Sequence, residues 1–348
     1  MPAISFSHVS FSYTSAPLLE SINLTVSDDE RVCVVGPNGS GKSTLLRLAT
    51  GELSPDQGTV SIPEQPGPQA ADLEEATATS IEGYLDAVCA EILGALDRFE
   101  RMGEAIAQAG AETGSLAEEF AEDYDVLLTR LESLDAWNLP ARRAEALAGL
   151  GLGGVDTGRF VSSLSPGQRG RLEIAALLLS SGQALVLDEP TNHLDAGSSS
   201  YLSEMMVSWP GPVLFSSHDR AFIDEVATAV VDLDTAPWQA LAIAAGDKRP
   251  IGAYRCSGRY SDYLVEKAHA RSSHRSLHRR QQEQRRKLAR HRRDSEIVGH
   301  SGAAPRTEAR IARKFYADRA QRVSTRRQTQ DDRRLEALAS TEVRRPRS

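Results

Sequence analysis

The chain has 348 residues, a net charge of −8, 40% hydrophobic and 5% aromatic residues. That length allows one large domain or two ordinary ones, with part of the chain outside any core. Cys33, Cys89 and Cys256 are far apart and odd in number and form no disulfide or zinc spacing pattern, and no apolar run of membrane-spanning length occurs. A reducing cytosol is therefore the default, and "MPAISFSHVSFSY" has no signal-peptide pattern. The net charge hides a split: residues 1–247 carry −25 and residues 248–348 carry +17. The expectation is an acidic globular body, 1–247, followed by a basic extension, 248–348. Arginine outnumbers lysine 35 to 5; GC-rich coding and bidentate phosphate contact both account for that.

The first strong element is "RVCVV" (31–35), a β-branched run expected as a buried strand. "GPNGSGKST" (36–44) follows, then the helical "LLRLAT". Strand, glycine-rich loop and helix are the setting of a Walker A phosphate loop. Its glycines turn backbone N–H groups inward, and the helix N-terminus adds partial positive charge. Lys42 is expected to reach the β- and γ-phosphates of ATP, and Ser43 to hold Mg²⁺. Between residues 72 and 135 lie 17 acids and 3 bases, a solvated face or a surface for a basic protein rather than for RNA. "ALVLDE" (184–189) is a second strand ending in two acids. Asp188 suits a Mg²⁺ role, and Glu189 can orient or deprotonate the attacking water. "VLFSSHD" (213–219) reads as a third strand delivering His218, a candidate γ-phosphate sensor, to the same carboxyl edge.

With "LSPGQ" (164–168), "DEPTNHLD" (188–195) and "SHDRAFID" (217–224), these motifs resemble the ATP-binding cassette proteins over most of residues 1–235. The resemblance implies an α/β P-loop NTPase cassette with an inserted helical subdomain at about 72–165. It implies that Gly36, Pro37, Asn38, Gly39, Ser40, Gly41, Lys42, Ser43 and Thr44 hold MgATP, with Tyr13 stacked on adenine. Gln65, in "VSIPEQP", resembles the glutamine that senses Mg²⁺ and the attacking water. Ser165 and Gly167 resemble signature residues that contact γ-phosphate on an opposite cassette. Pro166 replaces the usual first glycine, which removes one N–H and stiffens the loop.

"TNHLD" and "SHDRAFID" resemble one branch, the ABC-F proteins, and so do "ARRAEALAGLGL" (141–152) and "GRYSDYL" (258–264). That branch implies a cytoplasmic protein with two cassettes on one chain, acting on ribosomes. The chain has one Walker A and ends at "EVRRPRS", about where a second cassette would begin. A composite site needs Walker A and signature from opposite cassettes. The second cassette is therefore expected in cis on a longer chain, in trans, or from a homodimer. The alternative reading is the ATP-binding subunit of a membrane transporter with a separate permease.

Residues 262–293 and 306–338 lack Gly and Pro, and "IVGHSGAAP" (297–305) separates them. The pattern predicts an α-helical hairpin with arms of ~30 residues, on the order of 45 Å. Residues 278–293, "HRRQQEQRRKLARHRR", carry +7 and almost no apolar stripe. Helices this polar lie in solvent or on another polar body. The resemblance implies ribosomal RNA as that body; a solvated helix is the other reading.

Overall fold

The structure is a computed structural model and describes residues 3–63, 78–112, 121–180, 183–192, 194–247 and 251–298. Two compact units emerge: residues 1–234 with 252–263, and residues 235–251 with 264–348.

Among the described residues, the first unit contains two sheets. Strands β1 (Ala3–Phe11), β2 (Leu19–Ser27) and β4 (Gln57–Ser61) form an antiparallel sheet in the order β2-β1-β4. Their alternation puts Ile4, Phe6, Ile22 and Val26 on the buried face, the period-2 pattern of a sheet with one wet side. The second sheet has the order β5-β6-β3-β7-β8. It contains β3 (Arg31–Val35), β5 (Leu185–Asp188), β6 (Val213–Ser216), β7 (Ala229–Asp232) and β8 (Tyr254–Ser257). All pairs but β7·β8 are parallel. Every residue of β3 is buried, hence the unbroken apolar run without alternation.

Helix α1 (Lys42–Ala49) buries Leu45, Leu46, Leu48 and Ala49, and truncating one such leucine to alanine costs about 2–5 kcal/mol. Between β4 and β5 lies a helical segment: α2 (Ile81–Val88), α3 (Ala90–Glu112), α4 (Ala121–Ser133), α5 (Leu139–Gly149) and α6 (Pro166–Leu179). Phe99 joins α3 to the next elements, 5.0 Å from Tyr124 and 5.2 Å from Trp137 between ring centroids. Helices α7 (Ala196–Ser208) and α8 (Arg220–Val226) complete the parallel crossovers. Arg31, buried at the start of β3, donates from Nε to Met206 O (3.0 Å) and from Nη2 to Val207 O (3.0 Å) and Trp209 O. It thereby satisfies carbonyls at the C-terminus of α7 that have no partner within the helix.

In the second unit, α9 (Thr235–Ala244) buries Trp238, and Gln239 Oε1 accepts from Ile251 N at 2.8 Å. Helix α10 runs from Tyr260 to Val298 and crosses the boundary between the units after Tyr263. It contains the whole expected first arm, 262–293. Lys267, Ala270 and His274 are buried along one stripe, while Arg275, Arg279, Arg286 and Arg290 are exposed along another. The expected tip and second arm, from residue 299 on, lie outside the described residues.

Residues 254–257 belong to the extension in the sequence reading. In the structure they form β8, an antiparallel edge strand paired with β7 from Ala229↔Ser257 to Asp232↔Tyr254. A four-residue strand held by backbone pairing carries too little pattern to be read locally.

Candidate functional site

The phosphate loop sits between the carboxyl end of β3 and α1. Gly36 has φ 156° and Gly41, the N-cap of α1, has φ 100°. A Cβ on Gly36 would meet Ser40 Oγ at 2.5 Å, and one on Gly41 would meet Leu19 Cδ2 at 2.7 Å. Only glycine lets the backbone close this tightly. Ser40 N donates to Pro37 O at 3.1 Å, closing the turn. Lys42 Nζ donates to Gly36 O at 3.1 Å, so its ammonium already lies folded over the loop. Ser40 Oγ is buried without a hydrogen bond. It faces Gly36, on which the loop closes, so its hydroxyl belongs to the packing of the cradle. Tyr13 is 59% exposed. Its ring stands edge-on to Phe11 at 4.9 Å, and its hydroxyl lies 3.4 Å from Thr44 Oγ1. An open ring face beside the loop fits stacking on a base.

The acidic cluster is built by strand register. Asp188 of β5 pairs with Ser216 of β6, whose neighbour on the other side is Val34 of β3. Ser216 Oγ donates to Asp188 Oδ1 at 2.5 Å and accepts from Glu189 N at 3.0 Å. Glu189 has φ 49°, a left-handed backbone that costs a non-glycine residue about 1 kcal/mol or more. That turn brings its carboxylate back over the strand ends. Glu189 Oε2 accepts from His218 N at 3.0 Å. Oε1 is buried and lies 3.1 Å from His218 Nε2, within ion-pair range but without hydrogen-bond alignment. Glu189 is thus held at one oxygen and leaves the other available, while His218 stays 64% exposed in its side chain. Thr191 Oγ1 and Ser217 Oγ, 3.1 Å apart, tie the next turn to the same edge.

The donor set suits Mg²⁺ held jointly with phosphate. Ser43 and Asp188 are exposed at the edge, and the described residues contain no cluster of three His, Cys, Asp or Glu able to hold a metal alone. Mg²⁺ characteristically takes one or two protein oxygens plus phosphate and water. Beneath the site, burial pushes the Cys33 thiol well above its ordinary range, which keeps it neutral.

The signature stretch is elsewhere. Ser165 caps α6 by accepting from Gln168 N at 3.3 Å, and Gln168 Oε1 accepts from Ser165 N at 3.0 Å, a reciprocal capping box. Pro166 falls at the first helical position, where its missing N–H has no intrahelical role. Ser165 and Pro166 are exposed and Gly167 half-buried. No hydrogen bond or ion pair joins residues 165–168 to residues 36–44, Asp188, Glu189 or His218 among the described residues. The structure therefore gathers the Walker A loop, Asp188, Glu189 and His218 and leaves Ser165 and Gly167 apart. Gln65 and His193 lie outside the described residues. Sequence reading missed Ser216; its only signal is the hydroxyl pair "SS" ahead of His218, which has no meaning until the β5·β6 register is known.

The family model for ABC transporters matches residues 19–192, half of the chain. The chain belongs to the ATP-binding cassette family. Among curated relatives of this cassette, the energy-dependent translational throttle protein EttA of Mycobacterium tuberculosis is 34% identical over 72% of this chain and 41% of its own length. The tylosin resistance ATP-binding protein TlrC of Streptomyces fradiae is 34% identical over 64% of this chain and 40% of its own. The ATP-binding protein Uup of Escherichia coli is 33% identical over 78% of this chain and 39% of its own. These relatives agree with the ABC-F branch read from "TNHLD" and "SHDRAFID". The cassette chain spans about two fifths of the length of each. No described helix is long and apolar enough to cross a membrane.

Proposed function

We propose that this chain is a cytoplasmic ABC-F ATPase cassette that binds MgATP and hydrolyses it together with a second cassette. It couples that cycle to association with the ribosome. The observation that carries the enzymatic part is Glu189: one oxygen pinned by His218 N–H, the other buried without a hydrogen bond, 3.1 Å from His218 Nε2. Lys42 and the loop N–H groups of Gly36–Thr44 bind the phosphates, and Tyr13 carries the adenine. Ser43 and Asp188 hold Mg²⁺, with Gln65 completing the metal site. Glu189 takes a proton from the attacking water, and His218 reports on the γ-phosphate. Bound Mg²⁺ supplies charge neutralisation between the phosphates.

Ser165 and Gly167 serve the site of an opposite cassette, because Ser165 is exposed and neither shares a bond with this chain's own phosphate loop. The second cassette comes from a longer chain, a separate protein or another copy. The body is residues 1–247 together with β8, and the basic extension is the remainder of 248–348, whose exposed arginines contact ribosomal RNA. Two of the relatives carry names concerned with translation and with resistance to tylosin, which supports the ribosome over a permease as the target. The test is MgATP binding and turnover. Binding should vanish in Lys42→Ala, and turnover should rise steeply with chain concentration or with an added second cassette. Unchanged affinity in Lys42→Ala, or full turnover by a verified monomer, refutes the reading.

A further inference from the structure

Asp232 is 0% exposed and Tyr263 is 2% exposed. Neither has a part in the chemistry above. A buried carboxylate is expensive unless it is hydrogen-bonded, so its position calls for an explanation. Asp232 ends β7 and is the register partner of Val35, the residue just before Gly36. Its Oδ2 accepts from the Tyr263 hydroxyl at 3.0 Å, and its Oδ1 accepts from Asp234 N at 2.9 Å. Between these two acids, Leu233 N donates to Val35 O at 2.9 Å. Leu233 Cβ stands 3.4 Å from where a Gly36 Cβ would lie, so it lines the underside of the phosphate loop.

Tyr263 is in the first turn of α10. That turn is fixed to the cassette at a second point, where Asp224 Oδ1 accepts from Ser261 N at 3.0 Å. The Tyr263–Asp232 bond is the one that leads to nucleotide: hydroxyl, buried carboxylate, Leu233, Gly36.

We propose that Tyr263 and Asp232 are positioning residues that hold the floor of the phosphate loop and tie its occupancy to the first turn of α10. The proposal rests on MgATP binding in that loop and goes beyond it by naming how the basic helix senses the nucleotide. Coupling of this kind is reciprocal. If the bond steadies the loop for nucleotide, nucleotide must steady the first turn of α10. The readout is local, because the amides of residues 264–267 bond back to the carbonyls of Tyr260–Tyr263 in a regular α-helix.

The experiment is hydrogen exchange on the full chain with and without MgATP, together with the MgATP affinity of each variant. In the parent, MgATP should slow exchange at amides 264–267. Tyr263→Phe keeps the ring and its packing and removes only the hydroxyl donor. It should abolish that nucleotide-dependent protection and weaken MgATP binding about threefold to tenfold, the range expected for one lost hydrogen bond. Asp232→Asn, which keeps an acceptor for Tyr263, should lie between. Leu131→Val, in the buried face of α4, controls for general loss of stability and should leave both readouts at parent values. A Tyr263→Phe chain with parent affinity, or with parent-like protection on adding MgATP, overturns the proposal whatever its melting temperature. A parent chain that fails to bind MgATP removes the nucleotide reading, and the coupling with it. A parent that binds MgATP without protecting 264–267 removes the coupling alone.

Discussion

Glu189→Gln separates binding from chemistry at this site. The backbone at 189 keeps φ near 49°, and glutamine tolerates it no worse than glutamate. The amide oxygen can still accept from His218 N, at 3.0 Å in the parent, so the pinned side of the group survives. What changes is the other atom: a buried carboxylate oxygen with no hydrogen bond becomes an NH₂ that cannot take a proton. A positioned general base contributes about 10²–10⁴ in rate, or roughly 3–5 kcal/mol of barrier. Turnover in the presence of a second cassette should fall by that factor. MgATP affinity should stay within about threefold, because neither Lys42 nor the loop is touched. The assay is phosphate release under multiple turnover beside equilibrium nucleotide binding on the same preparation. Parent-rate hydrolysis, or loss of binding equal to the loss of rate, refutes the assignment of Glu189 as base.

Ser40→Ala should raise the thermal stability of the nucleotide-free chain, since Ser40 Oγ is buried without a partner and such a group costs about 1–3 kcal/mol; a melting curve checks it. Arg31→Met should destabilise by about 1–3 kcal/mol in denaturant unfolding, because it strips the donor from the carbonyls of Met206, Val207 and Trp209. Glu173 is raised above its ordinary 4.5 by burial and then by Glu52, so ionised Glu173 opposes folding at neutral pH. Glu173→Gln should therefore stabilise at pH 7, with the gain fading as pH falls toward 4.5, as read from melting temperatures across pH. Replacing Arg275, Arg279, Arg286 and Arg290 with Gln should flatten the salt dependence of ribosome binding by about 3–4 in log–log slope if all four touch phosphate, at 0.7–0.9 per contact. Identical salt curves would leave α10 a solvated helix.

Much of the site was legible because it is local in sequence. "RVCVV" reads as a buried strand since burial on both faces removes alternation, and "GPNGSGKST" reads as a cradle since glycines and a following helix have few other uses. "LSPGQ" reads as a signature by resemblance, whereas the capping box that Ser165 and Gln168 form there appears only in the structure. The unreadable parts depend on register and on contacts between distant residues. Ser216 bridges Asp188 and Glu189 from 28 and 27 residues away. Tyr263 reaches Asp232 across 31 residues. The left-handed backbone at Glu189 also had no sequence signal, because the residue there is not glycine. β8 was hidden for another reason: "YRCS" is short and sits inside a stretch whose charge points to the extension.

If one chain joins an ATP site to a ribosome-binding limb, ribosome pelleting by the Glu189→Gln chain will respond to MgATP. Purified ribosomes and lipid vesicles would be sedimented separately, each with and without MgATP, at a fixed salt concentration. The chain should pellet with ribosomes, and more strongly with MgATP, while vesicles should leave it in the supernatant. Recovery with vesicles, or ribosome association indifferent to MgATP, would contradict this.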